Sequence, residues 1–169
     1  MKRMYDRRGS LLVEVVVASG IIALAFAGFL RLQGSFLTTK KDSTDKVRAT
    51  YRAEEALEAV RRIRDCHTWP KFTRHHVIGQ KYYPLIAAGN DWDLASTSGS
   101  GQLIDVSYYQ YVTFASTTRD AQGVITGTCS TTPCGDIDTR KVTSTITWGS
   151  PVKTVAIDTY LTSWKDSMQ

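Results

Sequence analysis

The distribution of apolar and polar positions divides the chain into an almost uncharged start and a mixed remainder. Residues 11–30 contain one charged side chain, Glu14. About twenty apolar residues are needed for a helix to cross a bilayer hydrocarbon core of ~30 Å. The pattern therefore predicts a continuous helix from Ser10 to about Phe36, with a membrane-spanning run inside it. A carboxylate costs on the order of 2.5–3.5 kcal/mol at mid-depth of such a run and less near the interface, so Glu14 needs a functional explanation.

A second helical pattern covers residues 46–65, where apolar residues recur at three- and four-residue spacing. This stripe comprises Val47, Tyr51, Ala53, Ala56, Leu57, Val60 and Ile63. The opposite face is charged and includes Arg64, which is the composition of an amphipathic helix with one buried face. Because no proline occurs before Pro70, one long helix is expected to span both patterns.

The rest of the chain predicts a small antiparallel sheet. Residues 107–115 are aromatic and β-branched, as in a strand, and residues 141–161 alternate around a Gly-Ser-Pro turn, as in a hairpin. Residues 66–101 and 116–139 are expected to be largely irregular. The predicted fold class is α+β, with the second half of a long N-terminal helix packed on the sheet.

Charge indicates an orientation for the apolar run. The formal net charge is +5, and residues 1–9 contribute +3 of it through four basic residues and one acidic residue, which leaves +2 for the remainder. Basic residues before a membrane span favour a cytoplasmic N-terminus and place everything after Leu30 outside. Because most of the net charge lies in residues 1–9, the charge of the folded part does not argue for binding of nucleic acid.

Three cysteines follow the apolar run, and disulfides are permitted outside the cytoplasm. Cys129 and Cys134 flank the turn-forming sequence Ser-Thr-Thr-Pro, which predicts a disulfide between them. Cys66 is then unpaired, and it is interpreted either as a buried free thiol or as a bridge to the loop region.

The start of the apolar run carries a family resemblance. Arg8-Gly9 is followed by Ser10-Leu11-Leu12-Val13-Glu14 and about sixteen further apolar residues. This arrangement resembles a type IV pilin or pseudopilin precursor. The resemblance implies that a prepilin peptidase cuts between Gly9 and Ser10 and methylates the new N-terminal residue, and that Glu14 becomes the fifth residue of the mature chain. The family usually has Phe at the first mature position. Ser10 departs from this pattern, which favours a minor pilin or pseudopilin and leaves the methylation open.

The resemblance implies an organisation and a set of partners. Residues 1–9 are a leader that is removed, 10–37 a transmembrane and assembly helix, 38–66 its amphipathic continuation, and 67–169 a globular head. The implied partners are other pilin or pseudopilin subunits, the prepilin peptidase, an inner-membrane assembly platform and the lipid bilayer. The implied location is the bacterial inner membrane, with a single span, and then a type IV pilus or a type II secretion pseudopilus.

Two alternatives give the apolar run a simpler role. It has the basic start of a secretory signal peptide, and Ala25-Phe26-Ala27 has the form of a cleavage site, although Glu14 interrupts the apolar region. It also has the length of a plain membrane anchor. Either would suit an anchored or secreted binding module, adhesin-like or binding DNA through the basic and aromatic residues at 71–82. Nucleic-acid binding is not expected, because a charged stretch is usually a solvated face.

The candidate metal ligands form no complete pattern. Cys66, His67, His75 and His76 match no common zinc spacing. The pairs Asp91 with Asp93 and Asp136 with Asp138 offer oxygen ligands, but neither completes a calcium loop. No cofactor is therefore expected, and calcium is the alternative left open. No catalytic motif occurs, so the chain is not expected to be an enzyme.

Overall fold

The structure, a computed structural model, describes residues 7–87, 89–129 and 135–163. It divides the chain into two units, residues 1–45 and 46–169. The helices and strands are α1 (Arg7–Cys66), α2 (Trp69–His75), β1 (Lys81–Ile86), β2 (Trp92–Thr97), β3 (Gln102–Asp105), β4 (Tyr108–Arg119), β5 (Ile125–Cys129), β6 (Asp136–Trp148) and β7 (Lys153–Thr162).

The described part of the first unit is helical and belongs to α1. All residues from 11 to 40 of α1 are exposed, including every large apolar side chain in that range. Mean hydropathy reaches 2.3 over an 18-residue window, and none of that window is buried. A helix that is apolar on all sides is typical of a membrane span or of a core segment, and this one has no core of its own around it. By length and composition α1 is compatible with a transmembrane segment.

In the second unit, the second half of α1 packs on a seven-stranded antiparallel sheet, which confirms the predicted α+β fold. The helix residues buried there are Ala49, Ala53, Ala56, Leu57, Ala59, Val60 and Ile63. Four of these are alanines, whose small side chains let the helix backbone lie close to the sheet.

Two residues predicted for the buried stripe, Val47 and Tyr51, are instead 54% and 67% exposed. The buried face passes through Ala49 and Ala53, and at 100° per residue Tyr51 lies on the opposite side of the helix from Ala53. Arg64, predicted for the charged face, is 5% exposed, and its guanidinium donates to Asp65 Oδ1 and to the Thr162 carbonyl.

The longest run of the sheet has the order β2-β1-β4-β6-β7, and β3 and β5 also pair with β4. Along one edge of β4, residues 108–117 pair with β6. The opposite edge is shared by β3, β1 and β5 in succession. β4 is therefore the strand that joins all parts of the sheet.

Alternation along the central strands gives the sheet one buried face. On β4 the alternating buried positions are Tyr108, Gln110, Val112, Phe114 and Ser116, and Thr117 next to them is buried as well. The predicted C-terminal hairpin is confirmed, with β6 and β7 paired residue by residue from Thr139–Thr162 to Trp148–Lys153. Gly149 in its turn has φ 76°, a conformation that favours glycine.

The prediction that residues 66–101 are largely irregular is wrong, because α2, β1 and β2 lie there. Pro70 lies in the first turn of α2, where its missing N–H costs nothing. Among the described residues β1 pairs with β4 through Lys81 and Tyr82 alone. Pro84 lies beyond that pairing, where one edge of β1 has no neighbouring strand, and this is the position in a sheet that tolerates proline.

The prediction of a long loop over residues 116–139 is also wrong. β4 continues to Arg119, β5 covers Ile125–Cys129 and β6 begins at Asp136. This sequence is rich in Ser, Thr and Gly, so it lacks the apolar alternation that identifies a strand. Its strands depend on ladder hydrogen bonds and on polar contacts between residues distant in sequence.

His76 is a buried histidine within an aromatic cluster. Its ring lies 4.7 Å from Phe72, 5.3 Å from Phe114 and 5.5 Å from Tyr82, measured between ring centroids. Nδ1 is 2.8 Å from the Phe72 carbonyl oxygen, so the neutral ring donates there. Burial lowers the pKa of His76 below its ordinary value, and the hydrogen bond to Phe72 offsets only part of that effect.

This environment predicts a loss of stability on mild acidification. Because the folded state favours neutral His76, it binds fewer protons than the unfolded state once the pH falls below about 6.5. The free energy of unfolding of the detergent-solubilised chain should therefore decrease from about pH 7 to about pH 5.5, before the carboxylates titrate. Denaturant unfolding at each pH measures it.

Two variants assign the effect to this ring. His76→Phe should remove most of the decrease, because phenylalanine keeps the aromatic packing and does not titrate. His75→Gln is the matched control, since His75 is exposed, and it should retain most of the decrease, because burial lowers the pKa of His76 more than the charge of His75 does. An equal slope in wild type and His76→Phe would contradict the assignment.

Candidate assembly site and head loop

The predicted processing site lies at the start of the described part of α1. Gly9 and Ser10 are helical there, since α1 is described from Arg7 onward.

Glu14 lies one turn beyond Ser10, and its side chain is exposed. Residues four apart share a helix face, so a free amine on Ser10 would lie on the same side of the helix as this carboxylate. The large apolar neighbours Leu11, Val13 and Val15 are each at least 60% exposed. Residues 11–17 of α1 thus present one acidic group, Glu14, within an otherwise apolar surface.

The predicted disulfide cannot be located, because Cys134 lies outside the described residues. Cys129 is the last residue of β5. Cys66 ends α1 as an exposed free thiol. The interpretations of Cys66 as buried or as bridged are therefore wrong in this structure, since the helix end turns it away from the core.

Both ends of the segment between β5 and β6 lie against neighbouring residues of β4. Cys129 pairs with Ser116 at one edge, and Asp136 pairs with Thr117 at the other. Gly135, at φ 59°, lies so close to β4 that a Cβ on it would be 3.3 Å from the Thr117 carbonyl oxygen. Cys129 and Gly135 are therefore both held against residues 116–118 of β4.

A polar network holds the beginning of β6 against β4. The Arg119 guanidinium donates to Asp136 Oδ2, to Thr139 Oγ1 at 2.8 Å and to the Gly123 carbonyl at 2.6 Å. It thereby links β4, the turn before β5 and the beginning of β6. Burial raises the pKa of Asp136, but hydrogen bonds from Thr139, Arg119 and the Asp138 backbone N–H together hold it below its ordinary value.

His67, His75 and His76, considered from the sequence as zinc ligands, line one cavity together with Asp93, but they are not arranged as a metal site. His67 Nδ1 is 2.9 Å from the Ile63 carbonyl oxygen, and Asp93 Oδ1 accepts from the Leu94 N–H at 2.7 Å. Asp136 is paired with Arg119, which occupies a position that a cation would need. In the part of the chain that is described, no group of three or more His, Cys, Asp or Glu side chains could hold a metal ion.

The basic and aromatic residues at 71–82 do not form a common surface. Phe72, His76 and Tyr82 are buried in the core. Lys71 and Arg74 are exposed on α2. Because the aromatic rings face inward, they are not available for stacking on nucleic-acid bases.

Sequence reasoning missed the Arg119–Asp136 network and the buried Arg64. Both depend on which strands are neighbours, since Arg119 meets Asp136 across a ladder and Arg64 reaches Thr162 at the far end of the chain. No spacing in the sequence signals either contact.

Comparison with protein-family models, with curated proteins and with solved structures finds no match to this chain.

The positions of Cys129 and Gly135 generate a prediction about the cysteines. We expect the natively folded chain, isolated from outside the cytoplasm, to contain a Cys129–Cys134 disulfide, because Cys129 and Gly135 lie against neighbouring residues of β4. Alkylation without reduction, followed by mass spectrometry of peptides, should modify Cys66 alone. The Cys66→Ser variant should take up no alkylating agent until it is reduced. Modification of all three cysteines in the unreduced native protein would refute the disulfide.

Proposed function

We propose that this protein is a minor pilin or pseudopilin, a structural subunit that is processed after Gly9 and added to a type IV pilus or a type II secretion pseudopilus through its N-terminal helix. The observation that carries the proposal is the beginning of α1: a basic leader and Gly9, then a helix that is apolar on all sides except for Glu14.

The apolar surface of α1 needs a covering. Burying one large apolar side chain is worth about 1.5–3 kcal/mol, and residues 11–37 expose more than a dozen of them. Lipid supplies this burial for a single inserted subunit. In a filament that leaves the membrane, the helices of neighbouring subunits bury the same surface. One apolar surface therefore suits both the membrane-inserted subunit and the assembled subunit.

The glycines of this segment are explained better by close packing of a neighbouring helix than by the stability of the single helix. A Cβ on Gly20, Gly28 or Gly34 would meet no atom within 4 Å in the described chain, so the fold does not require them. Each glycine costs about 1 kcal/mol relative to alanine in a helix interior. Close approach of a neighbouring helix backbone at small residues offsets this cost.

Glu14 supplies the register of assembly. After cleavage, Ser10 carries a free α-amine, and a neighbour displaced along the filament axis presents its own amine to Glu14. Pairing two charges in an apolar bundle offsets much of their desolvation, whereas an unpaired buried charge is penalised by several kcal/mol. Incorrectly registered neighbours leave Glu14 unpaired and are rejected.

The second unit gives the subunit its identity outside the apolar bundle. Its helix-on-sheet fold has its own core, made by the second half of α1, α2 and the strands. The first half of α1 contributes no residue to these two core clusters. In the proposed assembly, the apolar helix provides the common packing surface and the head selects neighbouring subunits.

The Glu14→Ala variant tests this mechanism. We expect normal membrane insertion and normal removal of residues 1–9, because the cleaved bond and the apolar run are unchanged. Incorporation should be abolished, since the neighbour's amine loses its partner. Sheared filaments, or cross-linked assemblies, from cells that express the variant as their only copy should lack the protein by immunoblotting.

Controls separate loss of charge from loss of helix contacts. Glu14→Asp keeps the carboxylate and should retain partial incorporation, whereas Ser19→Ala, at another exposed position of the same segment, should assemble normally. Normal incorporation of Glu14→Ala would refute the proposed role of the carboxylate.

A further inference from the structure

The outer edge of β7 is long and regular. Ten consecutive residues of β7 pair with β6, and the described register contains no shift. In the described part of the chain, no strand pairs with the opposite edge of β7, since β7 ends the strand order. An edge of this kind presents backbone N–H and C=O groups that another strand can use.

The hydrogen-bond pattern identifies which residues of β7 point outward. The Ser163 N–H donates to the Asp138 carbonyl at 2.9 Å, so these two residues form a hydrogen-bonded pair. Hydrogen-bonded and non-hydrogen-bonded pairs alternate along an antiparallel ladder, so Thr162 and Thr139 form a pair of the second kind. The same alternation turns the N–H and C=O groups of every second residue away from β6. Those residues are Thr154, Ala156, Asp158, Tyr160 and Thr162.

The chain itself closes this edge at one end. Arg64 of α1 donates to the outward carbonyl of Thr162, and Arg61 Nη2 lies 3.0 Å from Thr159 Oγ1. The outward groups from Thr154 to Tyr160 have no such contact among the described hydrogen bonds. The available edge is therefore the segment 154–160.

This segment has few of the features that usually protect an edge strand, and its one charged side chain, Asp158, is paired with Lys141 of β6. Short edge strands, prolines, bulges and central lysines discourage strand addition. The other end strand, β2, has six residues, and the pairings of β4 with β3, β5 and β6 all contain register shifts. β7 has ten residues, no proline, and its lysine at the first position.

The side chains along the edge indicate what would cover it. Val155 and Ile157 pack against the core but are half-buried, because they lie at the open side of the sheet. Thr154, Ala156 and Asp158 alternate with them on the exposed face. A strand added here would place alternate side chains beside Val155 and Ile157, and apolar residues at those positions would complete the core.

We propose that β7 accepts an extended peptide segment of a partner protein along residues 154–160. The segment has apolar residues at alternate positions on the side of α1 and polar residues between them. Main-chain hydrogen bonds to the four outward residues hold it, and Val155 with Ile157 select its side chains. This inference does not depend on the proposed function.

A labelled synthetic peptide with the sequence of residues 141–148 is a suitable probe, because β7 already accepts that alternation at its inner edge. Fluorescence anisotropy should show saturable binding to the full chain in detergent. Hydrogen exchange should show the amides of Ala156, Asp158 and Tyr160 exchanging faster than those of Val155, Ile157 and Thr159 in the free chain. Peptide binding should slow the exchange of the first set.

Ala156→Pro removes an outward N–H and leaves the pairing with β6 intact, since proline is tolerated where the N–H faces away from the sheet. It should weaken peptide binding about tenfold, as expected for one lost main-chain hydrogen bond and an unpaired acceptor. Ala156→Val keeps the N–H and is the matched control, with binding equal to wild type. A peptide of the same composition, in which the residues equivalent to Val142 and Ile146 are shifted by one position, should bind more weakly than the 141–148 peptide.

Three outcomes would overturn the proposal: absence of binding at about 1 mM peptide, equal binding by wild type and Ala156→Pro, or protection by peptide at amides outside β7. Concentration-dependent dimerisation through β7 that excludes the peptide would also overturn it, because the occupant would then be a second copy. If Ala156→Pro fails to fold, hydrogen exchange of the wild-type chain with and without peptide still tests the proposal.

Discussion

Removal of the surface of α1 from water is the constraint on which the rest of the structure depends. In its second half, the helix meets this constraint within the chain, by packing a narrow face of small and branched residues on one side of the sheet. In its first half, the apolar residues cover the entire circumference and have no protein around them in the described chain. The same helix therefore contributes to the core of a folded unit in its second half and is compatible with a transmembrane segment in its first half.

Strong periodic patterns in the sequence were sufficient to predict the long helix α1 and the C-terminal hairpin of β6 and β7. The uninterrupted apolar run and the stripe at Ala53, Ala56 and Val60 predicted α1, and the alternation of Val142, Ile146 and Trp148 predicted β6 with its correct partner. These elements are recognisable because the apolar residues on their buried faces recur at a regular spacing.

The remaining elements could not be predicted because their stability does not come from their own pattern. β1 contains Pro84 and β5 is rich in threonine and glycine. β1 is a strand because it pairs with β2 along its whole length and with β4 at two residues, and β5 is a strand because it pairs with β4. For the candidate site, the apolar run, Gly9 and Glu14 were evident from the residues alone. Arg119, Asp136 and Arg64 were not, since their contacts connect positions that only the register of the sheet brings together.

The proposed function requires that α1 begins, in the mature protein, at Ser10 with a free amine one turn from Glu14. Intact mass spectrometry of the membrane-extracted protein, in cells with and without the prepilin peptidase, examines this requirement without further assumptions. We expect the loss of nine residues, with or without one added methyl group, and the full-length chain when the peptidase is absent. The loss of twenty-seven residues, an uncut chain in peptidase-containing cells, or cleavage after Gly9 without the peptidase would contradict it.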